Sequence, residues 1–352
     1  MASLPQGGLP DGPLPQETSP FVQARAAWRV TLDGSDLTAT YAPRLLSLRL
    51  SEKLGEDADE LEITVSDTDA AFAPPPQGSI LTVALGWDRG SLVSTGMVDK
   101  GSFTVDEVSW GGPPDQITIT ARSADLKDSF RTRKTRTWHD ETLGGVIGKL
   151  ASDNGLSARC HPDLAGKPVT AAEQHNKSDM QFLRDLGRHH DAVATVKGGA
   201  LIFAPRGAAT TTSGKEIPGA VLFRSRCADV SWRRASRDKD QDGAEAQWHD
   251  SDAGKRKTVA KGGTKKKRLK RIYASEDEAS TAAQSETNRQ KRASATLEAT
   301  LAWGNPRLTP GMPIEAVGFR AHIDGQKWQI ASTEHTMDAS GFKTRLSMEV
   351  AG

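Results

Sequence analysis

The chain has 352 residues, 36% of them apolar, and a mean hydropathy of −0.52, which suits two or three domains with modest cores supplemented by subunit contacts. Forty-six Lys and Arg against 45 Asp and Glu leave a net charge of +1, so there is no global attraction to nucleic acid or membrane. No apolar stretch approaches a spanning helix and no signal-peptide pattern opens the chain, while two cysteines, Cys160 and Cys227, make no disulfide framework and read as reduced thiols.

Residues 1–21 are rich in Pro and Gly (Leu4-Pro5, Leu9-Pro10, Gly12-Pro13, Leu14-Pro15) and read as a flexible arm, either idle or ordered against a neighbouring subunit. Over 22–125 the period is two. Trp28, Val30 and Leu32 alternate with polar residues, as do Leu46, Leu48 and Leu50, then Leu61, Ile63 and Val65, then Leu81, Val83, Leu85 and Trp87. Such strands, each with one apolar face and separated by turn clusters, make an antiparallel sandwich or barrel.

The period changes in 126–210. Leu143, Val146, Ile147, Leu150 and Ala151 predict an amphipathic helix stopped near Asn154-Gly155. Ser178 with Gln181 three residues on predicts the start of a second helix that buries Phe182, Leu183 and Leu186. A hairpin follows, Val193 to Val196 and Leu201 to Phe203 about Lys197-Gly198-Gly199. Strands resume in 211–352 with Val230 and Trp232, then Ala246 and Trp248. Ser275 and Glu278 cap a third helix whose Ala279, Ala282 and Ala283 permit close packing. The closing strand carries Phe342, Thr344, Leu346, Met348 and Val350 on one face.

This last region echoes the first. Gly78-Ser-Ile80-Leu-Thr-Val83, then a strand from Gly101 to Val108, then Gln116 to Thr120, is matched by Gly311-Met-Pro-Ile314-Glu-Ala-Val317, then Gly325 to Ile330, then Phe342 to Leu346. Two copies of one β module in one chain point to pseudosymmetry, and so to an assembly component rather than an enzyme.

Catalytic and metal-binding patterns are sparse. The tripeptides Trp138-His139-Asp140 and Trp248-His249-Asp250 place His beside Asp only in sequence, where side chains diverge, and no G-x-S-x-G accompanies them. His189, His190, Asp191 and the pair Cys160-His161 offer ligands without H-E-x-x-H or C-x-x-C spacing, so they read as the end of a helix and a loop. No nucleotide-binding glycine pattern precedes a helix, and Gly144-Gly145 lies inside one. We therefore assign no catalytic, cofactor-binding or metal residue. One charge run stands out, Lys265-Lys-Lys-Arg-Leu-Lys-Arg271. Its alternation suits a solvated hairpin arm, its charge suits an acidic partner or a channel wall, and nucleic-acid binding is the weakest reading because only Tyr273 lies close for stacking. Lys265, Lys266, Lys267 and Arg268 are the candidate partner or channel contact.

The segments Trp138 to Ile147, Asn176-Lys-Ser178-Asp179-Met-Gln-Phe182-Leu183-Arg-Asp-Leu186 and Gly198 to Gly207, with Ile272 to Ala279 and Trp303 to Ile314, resemble the phage late control D family. These are hubs of contractile tails, similar to the N-terminal part of type VI secretion spike proteins. The resemblance implies a mainly β (α+β) fold: two tail-tube-like antiparallel β-barrels, 22–125 and 211–352, the second with one helix, and a small α/β insertion at 126–210 between them. It implies a homotrimeric ring, in a contractile phage tail or a headless tailocin, that joins a sixfold tail tube to a threefold central spike, starts tube assembly and acts without cofactor. Its expected partners are the tube, spike and baseplate wedge proteins, with the tape-measure protein in the lumen and genome DNA only in transit. The place is the virion baseplate, assembled in the bacterial cytoplasm. With no spike-like continuation before Gly352, the spike is expected to be a separate polypeptide. Two other readings are a wall-binding or peptidoglycan-degrading tail protein and a DNA-binding late-gene regulator; the near-zero net charge and the lack of a helix-turn-helix pattern oppose the second.

Overall fold

The computed structural model describes residues 21–55, 58–123, 130, 132–208, 210–234, 241–251 and 253–351. The expected arm over 1–21 lies outside them apart from Phe21. The first module comprises β1 (Arg25–Leu32), β2 (Ser35–Asp36), a one-turn helix α1 (Thr38–Tyr41), β3 (Leu45–Lys53), β4 (Glu60–Ser66), β5 (Ile80–Arg89), β6 (Gly96–Gly111) and β7 (Gln116–Ser123). Alternation sets its core: Val30, Leu48, Leu50, Leu61, Ile63, Leu81, Leu85 and Ile119 are fully buried. Each contributes about 1.5–3 kcal/mol by leaving water. The expected burial of Leu46 beside Leu48 fails. A β-bulge between Leu45 and Ser47 inserts an extra residue, so Leu46 is exposed and Leu45 turns to the core.

The α/β insertion follows: β8 (Arg133–Thr142), α2 (Leu143–Asp153), β9 (Ser157–Cys160), α3 (Pro162–Ala165), β10 (Pro168–Ser178), α4 (Asp179–His190), β11 (Ala192–Lys197) and β12 (Ala200–Pro205). Ser178 caps α4 by accepting from the Gln181 amide at 3.2 Å, and Phe182, Leu183 and Leu186 are buried. The specific motif over 176–186 works through the first helical residue. Asp179 is fully buried and accepts from Lys134 (2.6 Å), Arg136 (2.9 Å), Asn154 (3.0 Å) and Gln174 (2.8 Å), which ties β8, β10 and the end of α2 to the start of α4.

The second module begins with β13 (Ala220–Phe223) and β14 (Cys227–Arg234). An excursion then forms β15 (Gly243–Asp250), β16 (Lys255–Gly262), β17 (Lys266–Tyr273) and α5 (Glu276–Arg292). Ala279, Ala282 and Ala283 of α5 pack on Ala244 and Ala246 of β15. The chain re-enters at β18 (Ala295–Leu301), then β19 (Pro313–Val317), α6 (Ala321–Asp324), β20 (Lys327–Asp338) and β21 (Gly341–Val350).

Both modules have one topology. The first sheet order is β3-β4-β7-β6-β5-β1; the second is β14-β18-β21-β20-β19-β13, the same sequence of roles. The local geometry repeats as well. The Gly78 amide donates to Val105 and the Val105 amide to Ser79; the Gly311 amide donates to Ile330 and the Ile330 amide to Met312. Both glycines have positive φ, 86° and 91°, where a side chain would be strained. Bulges recur between Val105 and Glu107 and between Ile330 and Ser332, and the Leu45/Ser47 bulge recurs between Cys227 and Asp229. One difference is that β1 pairs β5 antiparallel whereas β13 pairs β19 parallel. The two modules form one 13-stranded sheet because β20 pairs antiparallel with β3, with separate cores on either side of that joint.

Candidate functional site

The basic run is not a hairpin arm. β17 lies parallel to β15 with β16 on the far side of β15, so the run is the edge strand of a three-stranded sheet under α5. The alternation specifies a strand; its direction is set by the crossover, which a period of two does not encode. Lys265 is exposed and its amide donates to Asp242 at 2.8 Å. Lys267 points toward α5 and pairs with Glu286 at 2.8 Å. Lys266 and Arg268 take the opposite, exposed face, with Arg268 3.4 Å from Glu245. The four are neighbours along one edge, and two of them are engaged with acids of their own layer.

The residues His189, His190 and Asp191 at the end of α4 make a joint between the insertion and α5. Asp191 adopts φ 53° and receives Asn288 at 2.8 Å and the buried guanidinium of Arg292, which also lies 3.7 Å from Glu349 of β21. Ser285 donates to the Arg188 carbonyl, and the His189 ring stacks on Tyr273 at 5.6 Å. Burial, with Arg271 and Lys167 adding repulsion, brings His189 down to about 4; burial and the neighbouring His189 bring His190 down to about 3. Both are neutral at pH 7, and their contacts are those of a packed joint. An open cleft of about 1910 Å³ runs beside it, its walls carrying Arg271 and Lys167 as well as Glu278 and Glu286. His139 and His249 are exposed, and among the described residues no three His, Cys, Asp or Glu side chains are arranged to hold a metal.

The most distinctive electrostatics lie where the modules meet. Glu52 of β3 is buried and accepts from Lys100 of β6 at 2.7 Å and from Thr333 of β20 at 3.1 Å; His335 Nε2 lies 3.4 Å away and His335 Nδ1 lies 2.9 Å from Thr344. Burial alone raises the Glu52 pKa, but His335 and the Lys100 ammonium outweigh it and bring it down to about 2. Burial depresses His335, which is therefore neutral. Outside the ladder, Arg49 pairs with Glu334 at 2.5 Å. None of these partnerships has a sequence signature, because the residues lie on four strands, β3, β6, β20 and β21, drawn from both ends of the chain.

Exposed apolar residues complete the inventory of surfaces. Trp110 of β6 is 65% exposed and Trp232 of β14 is 36% exposed. β14 is an outer strand of the large sheet, and residues 107–111 of β6 have a ladder partner only in β7 among the described residues.

A sequence model of the phage tail baseplate hub (GPD) family matches residues 52–341. The chain is 32% identical to the probable baseplate hub proteins of Escherichia phages 186 and P2, in each case over 92% of both chains. In fold it is similar to the 43 kDa tail protein of prophage MuSo2 from Shewanella oneidensis, with a TM-score of 0.66, 15% identity, and coverage of 93% of this chain and 99% of that one. Duplicated β modules, a lattice of structural ion pairs and open strand edges therefore accompany a family match across most of the sequence: the chain belongs to the phage tail baseplate hub family and is a component of the virion tail.

Proposed function

We propose that three copies of the chain close into a ring of six similar β modules that joins the sixfold tail tube to the threefold central spike and starts tube assembly. The observation that carries this reading is the duplicated strand order, β3-β4-β7-β6-β5-β1 and β14-β18-β21-β20-β19-β13. A closed homotrimer is threefold, and two similar modules per subunit make it quasi-sixfold. The repeated strands suit the tube. The two excursions, between β7 and β13 and between β14 and β18, occur once per chain, so they repeat three times and suit the spike and the baseplate wedges. The ring acts by binding and not by catalysis, with the tape-measure protein and, during ejection, the genome passing through its lumen.

Native mass spectrometry of the chain co-expressed with the phage's spike protein tests this. The expected result is a complex with three copies of each, and a persistent monomer without spike overturns the proposal. A clearing zone on a peptidoglycan zymogram, or sequence-selective DNA binding that survives physiological salt, would replace it with a wall-degrading or regulatory role.

A further inference from the structure

The duplication makes one contact in each chain and leaves its counterpart open. In the observed joint, β3 of the first module pairs with the distal half of β20 of the second, Leu48 opposite Met337 and Leu50 opposite His335. The shared bulges fix which residues correspond. Leu48, Leu50 and Glu52 on β3 match Val230, Trp232 and Arg234 on β14, because both strands are counted from the same bulge. Val105 matches Ile330 through the common hydrogen bonds, so Val108 and Trp110 on β6 match Thr333 and His335 on β20. The counterpart of the β3–β20 joint is thus a pairing of β14 with residues 107–111 of β6. Among the described residues of one chain both edges stand open.

Burial shows what is missing. Leu48 and Leu50 are fully buried in a cluster that includes Met337 and Phe342 of the β20–β21 hairpin. On β14 the same face carries Val230, half-buried, and Trp232, 36% exposed. It is a core face without its cover. The hairpin that corresponds to the cover, β6–β7, carries the exposed Trp110. Glu107 on one edge and Arg233 and Arg234 on the other have opposite charge. Exposed edges with an apolar face are templates for pairing with another chain.

We infer that β14 of one copy pairs antiparallel with residues 107–111 of β6 of a second copy, with Trp232 opposite Trp110. The occupant is a second copy because this chain already makes the equivalent contact with itself. The pairing is head-to-tail, so each copy uses β14 toward one neighbour and β6 toward the other, the arrangement that closes rings. The inference rests on the ring reading and specifies the strands and register that hold it.

The test uses full-length chains with Cys160 and Cys227 replaced by alanine, one carrying W110C and the other W232C. A short bifunctional thiol reagent is expected to give a covalent dimer when the two are mixed and none with either alone, since opposite residues of an antiparallel pair stand about 4.5–5.5 Å apart. Chains that associate by sedimentation but crosslink neither in the mixture nor at these positions overturn the strand pairing and leave the ring standing. Unsubstituted chains that stay monomeric at the same concentration overturn both. In the unmodified chain, amide exchange in residues 228–234 and 107–111 is expected to slow about tenfold or more as concentration rises through assembly; rates that do not change with concentration in an assembled sample also overturn the pairing.

Discussion

The two equivalent strands of the duplicated sheet, β3 and β14, solve one problem differently. At the β3–β20 joint the inner strand is sealed, with Leu48 and Leu50 fully buried and a buried Glu52–Lys100 ion pair anchored by Thr333. At β14, the equivalent strand, the corresponding positions are the half-buried Val230, the exposed Trp232 and Arg234. The first strand is specified by charge that is costly to bury and useless unless paired. The second has an aromatic that tolerates both water and a partner. A contact made once and permanently inside a chain can use a buried ion pair, whereas an edge that must stay soluble until a partner arrives cannot.

The sharpest way to break this comparison is to remove one charge from the sealed joint. Lys100→Met leaves the Glu52 carboxylate buried without its cation, and we expect a loss of about 3–5 kcal/mol in urea unfolding. A loss under about 1 kcal/mol would show that the ion pair does not hold the joint. Next in size, Leu48→Ala should cost about 2–5 kcal/mol, while Val230→Ala at the equivalent open position should cost well under half as much in the monomer. Equal losses would mean that the two strands are equally buried in solution.

Acid weakens both packed joints. His335 is depressed in the fold, so the stability of its neutral form is complete above its ordinary value of 6.5 and erodes below it, by about 1.4 kcal/mol per pH unit. Glu52 adds a second loss as pH falls from 4.5 toward about 2. His189 and His190 erode the insertion joint over the same first window, from 6.5 down to about 4 and 3. Melting temperatures of the chain and of His335→Gln between pH 7 and pH 4 should therefore converge if the imidazole carries the effect. The smallest effect belongs to the open edge. Trp232→Ser should change monomer stability by only about 0.5 kcal/mol or less, as expected for an exposed site, while lowering self-association in sedimentation.

Much of the architecture was legible because it was written in local signals. The match of Gly78 to Gly311, each followed by an alternating run, announced the repeat, and the same glycines make the same hydrogen bonds in the fold. Ser178 and Ser275 announced their helices and cap them. Leu46 misled because a bulge shifts the phase of a strand without a reliable residue signature. β17 misled because alternation specifies a strand and not its neighbour or direction. The basic run looked like one site, yet Lys267 belongs to Glu286 and Arg268 lies beside Glu245. Trp110 and Trp232 went unnoticed as surface residues because apolar residues at alternating positions read as core. Only the sheet order shows that no strand covers them among the described residues.

The β3–β20 joint also governs the order in which the chain takes shape during synthesis. Arg49 and Glu334 are separated by 285 positions, so the β20–β21 hairpin that completes the first core leaves the ribosome after the rest of that core. Until then β3 is an open edge of the kind that β14 remains, and Leu48 and Leu50 lack Met337 and Phe342. Such long-range closure is slow, because the loop entropy must be overcome before the contacts form. Until that closure a nascent chain carries an uncovered strand edge beside a half-finished core, the kind of edge that templates pairing with another chain.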